Sequence, residues 1–91
     1  MDNELEILLK VKNSSSVNSL ASAIAHAVWD DKLVTLRAIG PVAVNVGLKA
    51  IAVARGYVAP TGIDLSCRPG FVTVEGDYGP TTAIIMKVDV I

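Results

Sequence analysis

The segment from Arg37 to Pro69 constrains the fold of this chain more than any other, because it contains an almost uniformly apolar helix. Pro41 suits the first helical position, where its missing N–H would have had no partner inside the helix. Gly56 predicts that this helix ends at Arg55. Between these two markers the apolar run is interrupted by few polar side chains, which are Asn45, Lys49 and Arg55.

A helix that is apolar on more than one side is normally buried on more than one side. A chain of 91 residues can build one core and little more. We therefore expect a second copy of the chain, in a dimer or tetramer, to cover the remaining side of the helix. The expected interface residues are Val44, Leu48, Lys49, Ile51, Ala52 and Arg55. Lys49 can equally lie on a solvated seam, and Arg55 can simply complement the negative end of the helix dipole.

Composition indicates one aliphatic domain, residues 1–91, with 52% hydrophobic but only 4% aromatic residues. A net charge of -1 excludes a protein that binds nucleic acid through an overall positive field, but it leaves room for a local basic patch. Cys67 is the single cysteine, so no internal disulfide is expected. No leader pattern opens the sequence, and the longest uncharged run, between Arg37 and Lys49, is too short for a bilayer. We predict a soluble cytoplasmic protein that does not bind a membrane.

In the other segments the spacing of apolar residues predicts four strands and one further helix. The predicted strands are Glu4–Lys12, Leu33–Ile39, Ile63–Glu75 and Thr81–Val90. Ser15 or Ser16 is the expected N-cap of a helix that reaches about Asp30. Pro69-Gly70 predicts a bulge or bend in the third strand, and Gly76–Pro80 a short hairpin loop.

The resulting element order is β-α-β-α-β-β. Short connections and right-handed crossovers place both helices on the same face of one mixed four-stranded sheet. The sequence therefore predicts a two-layer α/β sandwich whose second sheet face is open to solvent.

The run AIGPVAVNVGLKAIAVARGYVAPTGIDLSCRPGF, from Ala38 to Phe71, closely resembles the stage V sporulation protein S family. The similarity extends without gaps from Lys10, through SSVNSLASAIA, into TAIIMKV, and so covers most of the chain. Members of that family look like Alba proteins, which are small dimeric or tetrameric chromatin and RNA binding proteins with this element order. The resemblance implies a cytoplasmic bacterial regulator of sporulation or cell division, with RNA, DNA or the sporulation and division proteins as its partners.

This chain departs from the Alba pattern where Alba proteins bind nucleic acid. Their paired lysines fall on Ser14 and Ser15, and the arginines beside the glycine equivalent to Gly40 are replaced by apolar residues. Their basic hairpin arm corresponds here to Glu75–Pro80, which is short and acidic. Each lost phosphate contact lowers affinity and its salt dependence. We therefore expect weaker or more selective binding than the resemblance alone implies.

Alternation places five basic residues on the outward sheet face, namely Lys10, Lys12, Arg37, Arg68 and Lys87. Four acidic residues are predicted to oppose them and make the face nearly neutral, namely Glu4, Glu6, Asp64 and Asp89. A solvated, salt-bridged face is the simpler interpretation.

The alternative interpretation is an anion site at one end of the sheet. The loops into both helices meet there, so Ser14, Ser15 and the N–H groups beyond Gly40 can converge with Lys12 and Arg37. Phosphate contact and simple helix capping both explain this pattern.

Two other classes of function compete with nucleic-acid binding. Catalysis has little support, because His26 is not placed beside Cys67 and there is no Cys/His cluster or phosphate loop, so neither a metal nor a cofactor is expected. A protein docking module of the sporulation or septation machinery, without nucleic-acid binding, is the second alternative. The exposed Trp29 and Tyr78 and the outward Leu8, Ile39 and Ile85 would suit contact with protein.

Overall fold

The structure, a computed structural model, describes residues 5–91. The predicted start of the first strand at Glu4 lies outside these residues. The elements are β1 (Glu6–Val11), α1 (Val17–Trp29), β2 (Leu33–Ala38), α2 (Pro41–Val58), a 3-10 turn (Ala59–Thr61), β3 (Leu65–Gly76) and β4 (Gly79–Val90). The strand order is β1-β2-β4-β3, with β1 and β2 parallel and the other pairs antiparallel. The predicted mixed sheet with both helices on one face is confirmed.

The core lies between the sheet and the two helices, where the strand alternation predicts it. In the parallel ladder Leu9 lies opposite Leu36, and Leu36 lies opposite Met86 of β4. Leu36 and Met86 are almost fully buried. Side chains at the intervening positions point to the other face of the sheet, which the helices leave open.

Helix α1 begins after Ser16, one of its two predicted caps. The Ser16 hydroxyl oxygen accepts a hydrogen bond from the backbone N–H of Ser19 at 3.2 Å, which satisfies one of the free N–H groups of the first turn. The helix buries the apolar stripe that contains Ala21, Ile24 and Val28. This stripe packs on the sheet and beside α2.

Helix α2 does not end at Arg55, so the predicted stop at Gly56 was wrong. The helix continues to Val58, and the 3-10 turn after it closes at Gly62, whose φ of 82° is left-handed. A glycine inside a helix costs about 1 kcal/mol. Burial of Ala54 and Val58 on the sheet side offsets that cost, because both side chains are fully enclosed.

One side of α2 belongs to the core of its own subunit. Its buried residues are Ala43, Gly47, Ala50, Ile51, Ala54 and Val58. Ile51 is 5% exposed, which corrects its assignment to an intersubunit interface. By length and composition Pro41–Thr61 could also cross a membrane. Its inner side is instead packed against the sheet, as in the core helices of soluble proteins.

Strand β3 runs without interruption, so the bulge predicted at Pro69-Gly70 was also wrong. Pro69 lies opposite Met86 and Gly70 opposite Ile85, in register with the pairs on either side. Because β3 is an edge strand, one of its sides has no neighbouring strand, and a missing N–H can be accommodated there.

Candidate nucleic-acid interface

The open face of the sheet carries four of the five predicted basic residues. Lys10 lies opposite Arg37 in the β1–β2 ladder, and Arg68 lies opposite Lys87 in the β3–β4 ladder. The fifth, Lys12, lies just beyond the end of β1. The face therefore has two pairs of adjacent cations, and each pair has a different environment.

The pair formed by Arg68 and Lys87 has acidic neighbours. Arg68 donates from Nε and Nη2 to the two carboxylate oxygens of Asp89, at 2.6 and 3.2 Å. The guanidinium of Arg68 holds the pKa of Asp89 below its ordinary value. Glu6 lines the same surface depression, which has a volume of about 570 Å³. This end of the face is thus of mixed charge.

Asp64 does not oppose the cations of the open face, which corrects the predicted charge balance. Its carboxylate accepts a hydrogen bond from Nε of Arg55 at 2.9 Å and another from the backbone N–H of Leu65 at 2.8 Å. Arg55 and then the Leu65 N–H lower the pKa of Asp64. The pair joins the last turns of α2 to the start of β3, away from the sheet face.

The pair formed by Lys10 and Arg37 lies at the basic end of the face. Lys10, Lys12 and Arg37 line one depression of about 250 Å³, together with Asn13, Ile39 and Ala43. The carboxyl ends of two parallel strands meet at the same sheet edge, which is why the loops after β1 and β2 converge there. We call this depression, with its three cations, the basic depression.

The first turn of α2 borders the basic depression. Its N-cap, Gly40, has φ of 90° and ψ of 159° and supplies no side-chain cap. Pro41 has no N–H, and the next N–H groups belong to Val42 and Ala43. Such uncapped N–H groups add a positive partial charge beside the cations.

Of the two predicted serines, Ser15 has a structural partner. The Ser15 hydroxyl accepts a hydrogen bond from the backbone N–H of Lys12 at 2.8 Å, and the Ser15 N–H bonds back to the Lys12 carbonyl at 3.0 Å. Ser15 therefore closes the turn that holds Lys12 in place. Ser14 is exposed in the same turn.

The β3–β4 hairpin projects beyond the body of the sheet as an arm. The pairing of β2 with β4 ends at Ala38 and Ile84, whereas β3 and β4 stay paired from there to Gly76 and Gly79. Five residue pairs, Val72–Ala83 to Gly76–Gly79, therefore extend past β2. The arm lies at the same end of the sheet as the basic depression.

The turn of the arm forms a second depression of about 430 Å³ with Ile39. Tyr78 lies at the tip and is fully exposed, and Pro80 lines the same depression. Glu75 and Asp77 supply the charges of the arm, which contains no Lys or Arg. We call this surface the aromatic shelf. The sequence predicts an exposed Tyr78 in a short hairpin loop, and the structure places this residue beside Ile39 at the end of the sheet.

Four of the six predicted interface residues share the outer stripe of α2. Leu48, Lys49, Ala52 and Arg55 are all exposed and follow one another at helical spacing. Val44, one turn before Leu48, is half-buried. Leu48 is 47% exposed, so the stripe offers an apolar centre between two cations.

The two residues considered for catalysis lie on different elements. His26 is on the exposed side of α1, where its Nδ1 lies 2.8 Å from the Ser22 carbonyl oxygen. Cys67 is on β3, and partial burial followed by the charge of Asp89 raises the pKa of its thiol. Within residues 5–91 no three His, Cys, Asp or Glu side chains are grouped closely enough to hold a metal ion.

Comparison with known proteins gives a matching family and a solved structure of similar fold. The family model described as stage V sporulation protein S matches residues 7–91. Among solved structures the chain is similar to Alba from Thermoplasma volcanium, with 12% sequence identity and a TM-score of 0.61. That match covers 92% of this chain and 98% of the other. At this identity the likeness to the Alba structure is one of fold.

Proposed function

The chain belongs to the stage V sporulation protein S family, and on that premise we propose that it is a non-enzymatic cytoplasmic regulator that binds nucleic acid as an oligomer. The family relates the chain to sporulation. The proposal adds a cytoplasmic location, the ligand and the oligomer, and the last two each have their own support and their own test.

The basic depression is the observation that carries nucleic-acid binding. Lys10, Lys12 and Arg37 converge on one depression beside an uncapped helix start. Among the residues that the structure describes, the lining of this depression contains no acidic residue, and Glu6 and Asp89 of the open face line a different depression at the mixed-charge end. A local site of one sign in a chain of net charge -1 favours phosphate as the ligand.

Binding through three cations is weak and only moderately salt-dependent. On single strands, each neutralised phosphate contributes about 0.7 to the log-log slope of affinity against salt. Three contacts predict a slope of about -2. A protein with many phosphate contacts would give a far steeper slope, so the measured value tests the number of cations involved.

A mobility-shift or anisotropy assay at low salt tests the site directly. Lys12→Gln with Arg37→Gln is expected to abolish retention of labelled RNA and DNA. Lys32→Gln with Arg68→Gln removes the same charge elsewhere, since Lys32 precedes β2 and Arg68 is paired with Asp89. This control is expected to bind as the wild type does. Equal loss in both variants would mean that only net charge matters.

The outer stripe of α2 supports an oligomer. It combines Leu48 and Ala52 with Lys49 and Arg55 on a surface that the subunit itself leaves exposed. Leu48→Asp is expected to produce monomers in size-exclusion chromatography with light scattering. Leu33→Asp is the control, because Leu33 is 61% exposed and lies on β2, outside the stripe. A wild type that is monomeric at micromolar concentration would contradict the proposal.

A docking module for sporulation or division proteins is the second candidate, and Phe71 favours it. This ring is 76% exposed on an edge strand, where large apolar side chains often mark contact surfaces. Heparin chromatography separates the two functions. A nucleic-acid binder is held and then released by salt, whereas a docking module with no such site passes through.

A further inference from the structure

We propose that the ligand of this chain is single-stranded nucleic acid, with a phosphate group in the basic depression and a base stacked on the aromatic shelf. The inference deepens the proposed function and rests on it. It concerns which form of nucleic acid the surface accepts, and it comes from the arm rather than from the cations.

The basic depression and the aromatic shelf adjoin at one shared lining residue. Ile39 lines both the basic depression and the depression under the turn of the arm. On one side of Ile39 lie Lys10, Lys12 and Arg37, and on the other lie Tyr78, Pro80 and the carboxylate of Asp77. Cations on one side and an exposed aromatic ring on the other match a single nucleotide strand, which has phosphates along one side and unpaired bases along the other.

Tyr78 has the exposure that stacking requires. Its side chain is fully accessible at the tip of the arm, although a large aromatic residue normally gains by burial. Base stacking on aromatic side chains tolerates any sequence, because every base has a π-face. The ring is carried on a paired two-stranded arm, so it is held out from the body of the sheet at a defined height.

The charge of the arm disfavours a duplex. A double helix presents a second row of phosphates across its groove, about 12 Å away for the major groove of B-DNA. A duplex seated in the basic depression would bring phosphates toward an arm whose charged residues are Glu75 and Asp77. A single strand places bases there, and bases carry no net charge. Like-charge repulsion thus selects against the duplex.

Fluorescence anisotropy at low salt tests this with one labelled 12-nucleotide strand, as RNA and as DNA, and with the same strand annealed to its complement. The single strand is expected to bind more tightly than the duplex. Tyr78→Ala is expected to weaken single-strand binding about tenfold, the scale of losing one stacked base. Tyr78→Phe keeps the ring and is expected to retain wild-type affinity.

A strand containing abasic sites separates stacking from other effects of the substitution. Wild-type protein is expected to lose affinity for the abasic strand, whereas Tyr78→Ala should bind the intact and abasic strands equally. Glu75→Gln with Asp77→Asn is expected to raise duplex affinity by a larger factor than single-strand affinity.

The results of these experiments separate failure of the proposed function from failure of the single-strand inference. If the wild type binds neither strand nor duplex, the proposed function itself fails. If it binds through Lys12 and Arg37 but prefers the duplex, or if Tyr78→Ala leaves single-strand affinity unaltered, the proposed function stands and this inference is overturned.

Discussion

Lys10 and Arg37 lie opposite each other in the parallel β1–β2 ladder, so two cations occupy adjacent positions on the open sheet face. Like charges placed directly across a sheet destabilise it. Arg55 and Arg68, in contrast, each form an ion pair with an aspartate. An arrangement that costs folding free energy and lines a depression is better explained by a ligand than by stability.

Replacing Arg37 therefore separates stability from binding. Arg37→Gln is expected to raise the free energy of unfolding by roughly 0.2–1 kcal/mol, because it removes a like-charge pair. The same change is expected to weaken single-strand binding and to reduce the salt slope by about 0.7. Urea denaturation and anisotropy titrations at several salt concentrations measure the two effects.

Arg68→Gln is the matched control, since it removes an equal charge from the same face. Its guanidinium is paired with Asp89, so the change is expected to give no gain in stability and to leave binding within about twofold of the wild type. If Arg37→Gln also gave no gain in stability, the interpretation of Lys10 and Arg37 as a strained pair would be contradicted.

Acid is expected to destabilise the fold through Asp64 and Asp89. The pKa of each carboxyl is lowered in the folded chain, by Arg55 and by Arg68 respectively. Between the folded pKa and the unfolded value of about 3.9, the unfolded chain binds more protons. The stabilising contribution of the two ionised carboxylates to the fold is therefore present above the unfolded pKa and is lost as pH falls through the folded pKa.

The measurement is the urea midpoint from pH 7 down to pH 2.5. Asp64→Asn with Asp89→Asn is expected to show a smaller fall than the wild type, and added salt should reduce the difference because both pairs are exposed. Parallel curves for the two proteins would show that these ion pairs make no contribution.

Substitutions at two glycines of α2 are expected to change the free energy of unfolding in opposite directions. A β carbon at Gly47 would lie 2.8 Å from Cε and 3.3 Å from Sδ of the buried Met86. Gly47→Leu is therefore expected to lower the free energy of unfolding by about 1–3 kcal/mol through overpacking. Gly56→Ala meets open space and is expected to raise it by about 0.5–1 kcal/mol.

Urea denaturation of both variants checks this pair of expectations within a single helix. A stable Gly47→Leu protein would mean that α2 can move away from the sheet. A destabilised Gly56→Ala protein would mean that the outer stripe of α2 needs a close backbone approach at that position.

Substitution of Gly40 is expected to destabilise the fold because of its backbone conformation, not because of a steric clash. Its φ of 90° with ψ of 159° falls in a region that only glycine enters readily, although an added β carbon would meet nothing within 4 Å. Gly40→Ala is expected to lower the free energy of unfolding by about 1–3 kcal/mol. An unchanged urea midpoint would show that the loop can adopt another path into α2.

The arm shows how a local sequence signal can predict a turn without predicting where that turn lies in the fold. The glycines around Asp77-Tyr78 predict a tight turn, and the acidic residues beside them predict weaker phosphate binding. Only the register of β3 with β4 shows that the hairpin extends past β2 and brings Tyr78 to the end of the sheet that holds Lys12 and Arg37.

The sequence by itself determined the element order, the strand faces, a serine N-cap for α1 at Ser15 or Ser16 and the start of α2 at Pro41, because these depend on hydrophobic period and on local backbone chemistry. The tertiary structure decided whether α2 continued through Gly56, whether β3 bent at Pro69, and which acidic residue neutralised which cation. Those outcomes depend on burial and on strand position, so Val58 in the core outweighs a helix-breaking glycine and an open sheet edge accepts a proline. Asp64 and Arg55 meet because the end of α2 and the start of β3 pack together, and no spacing rule along the chain encodes that contact.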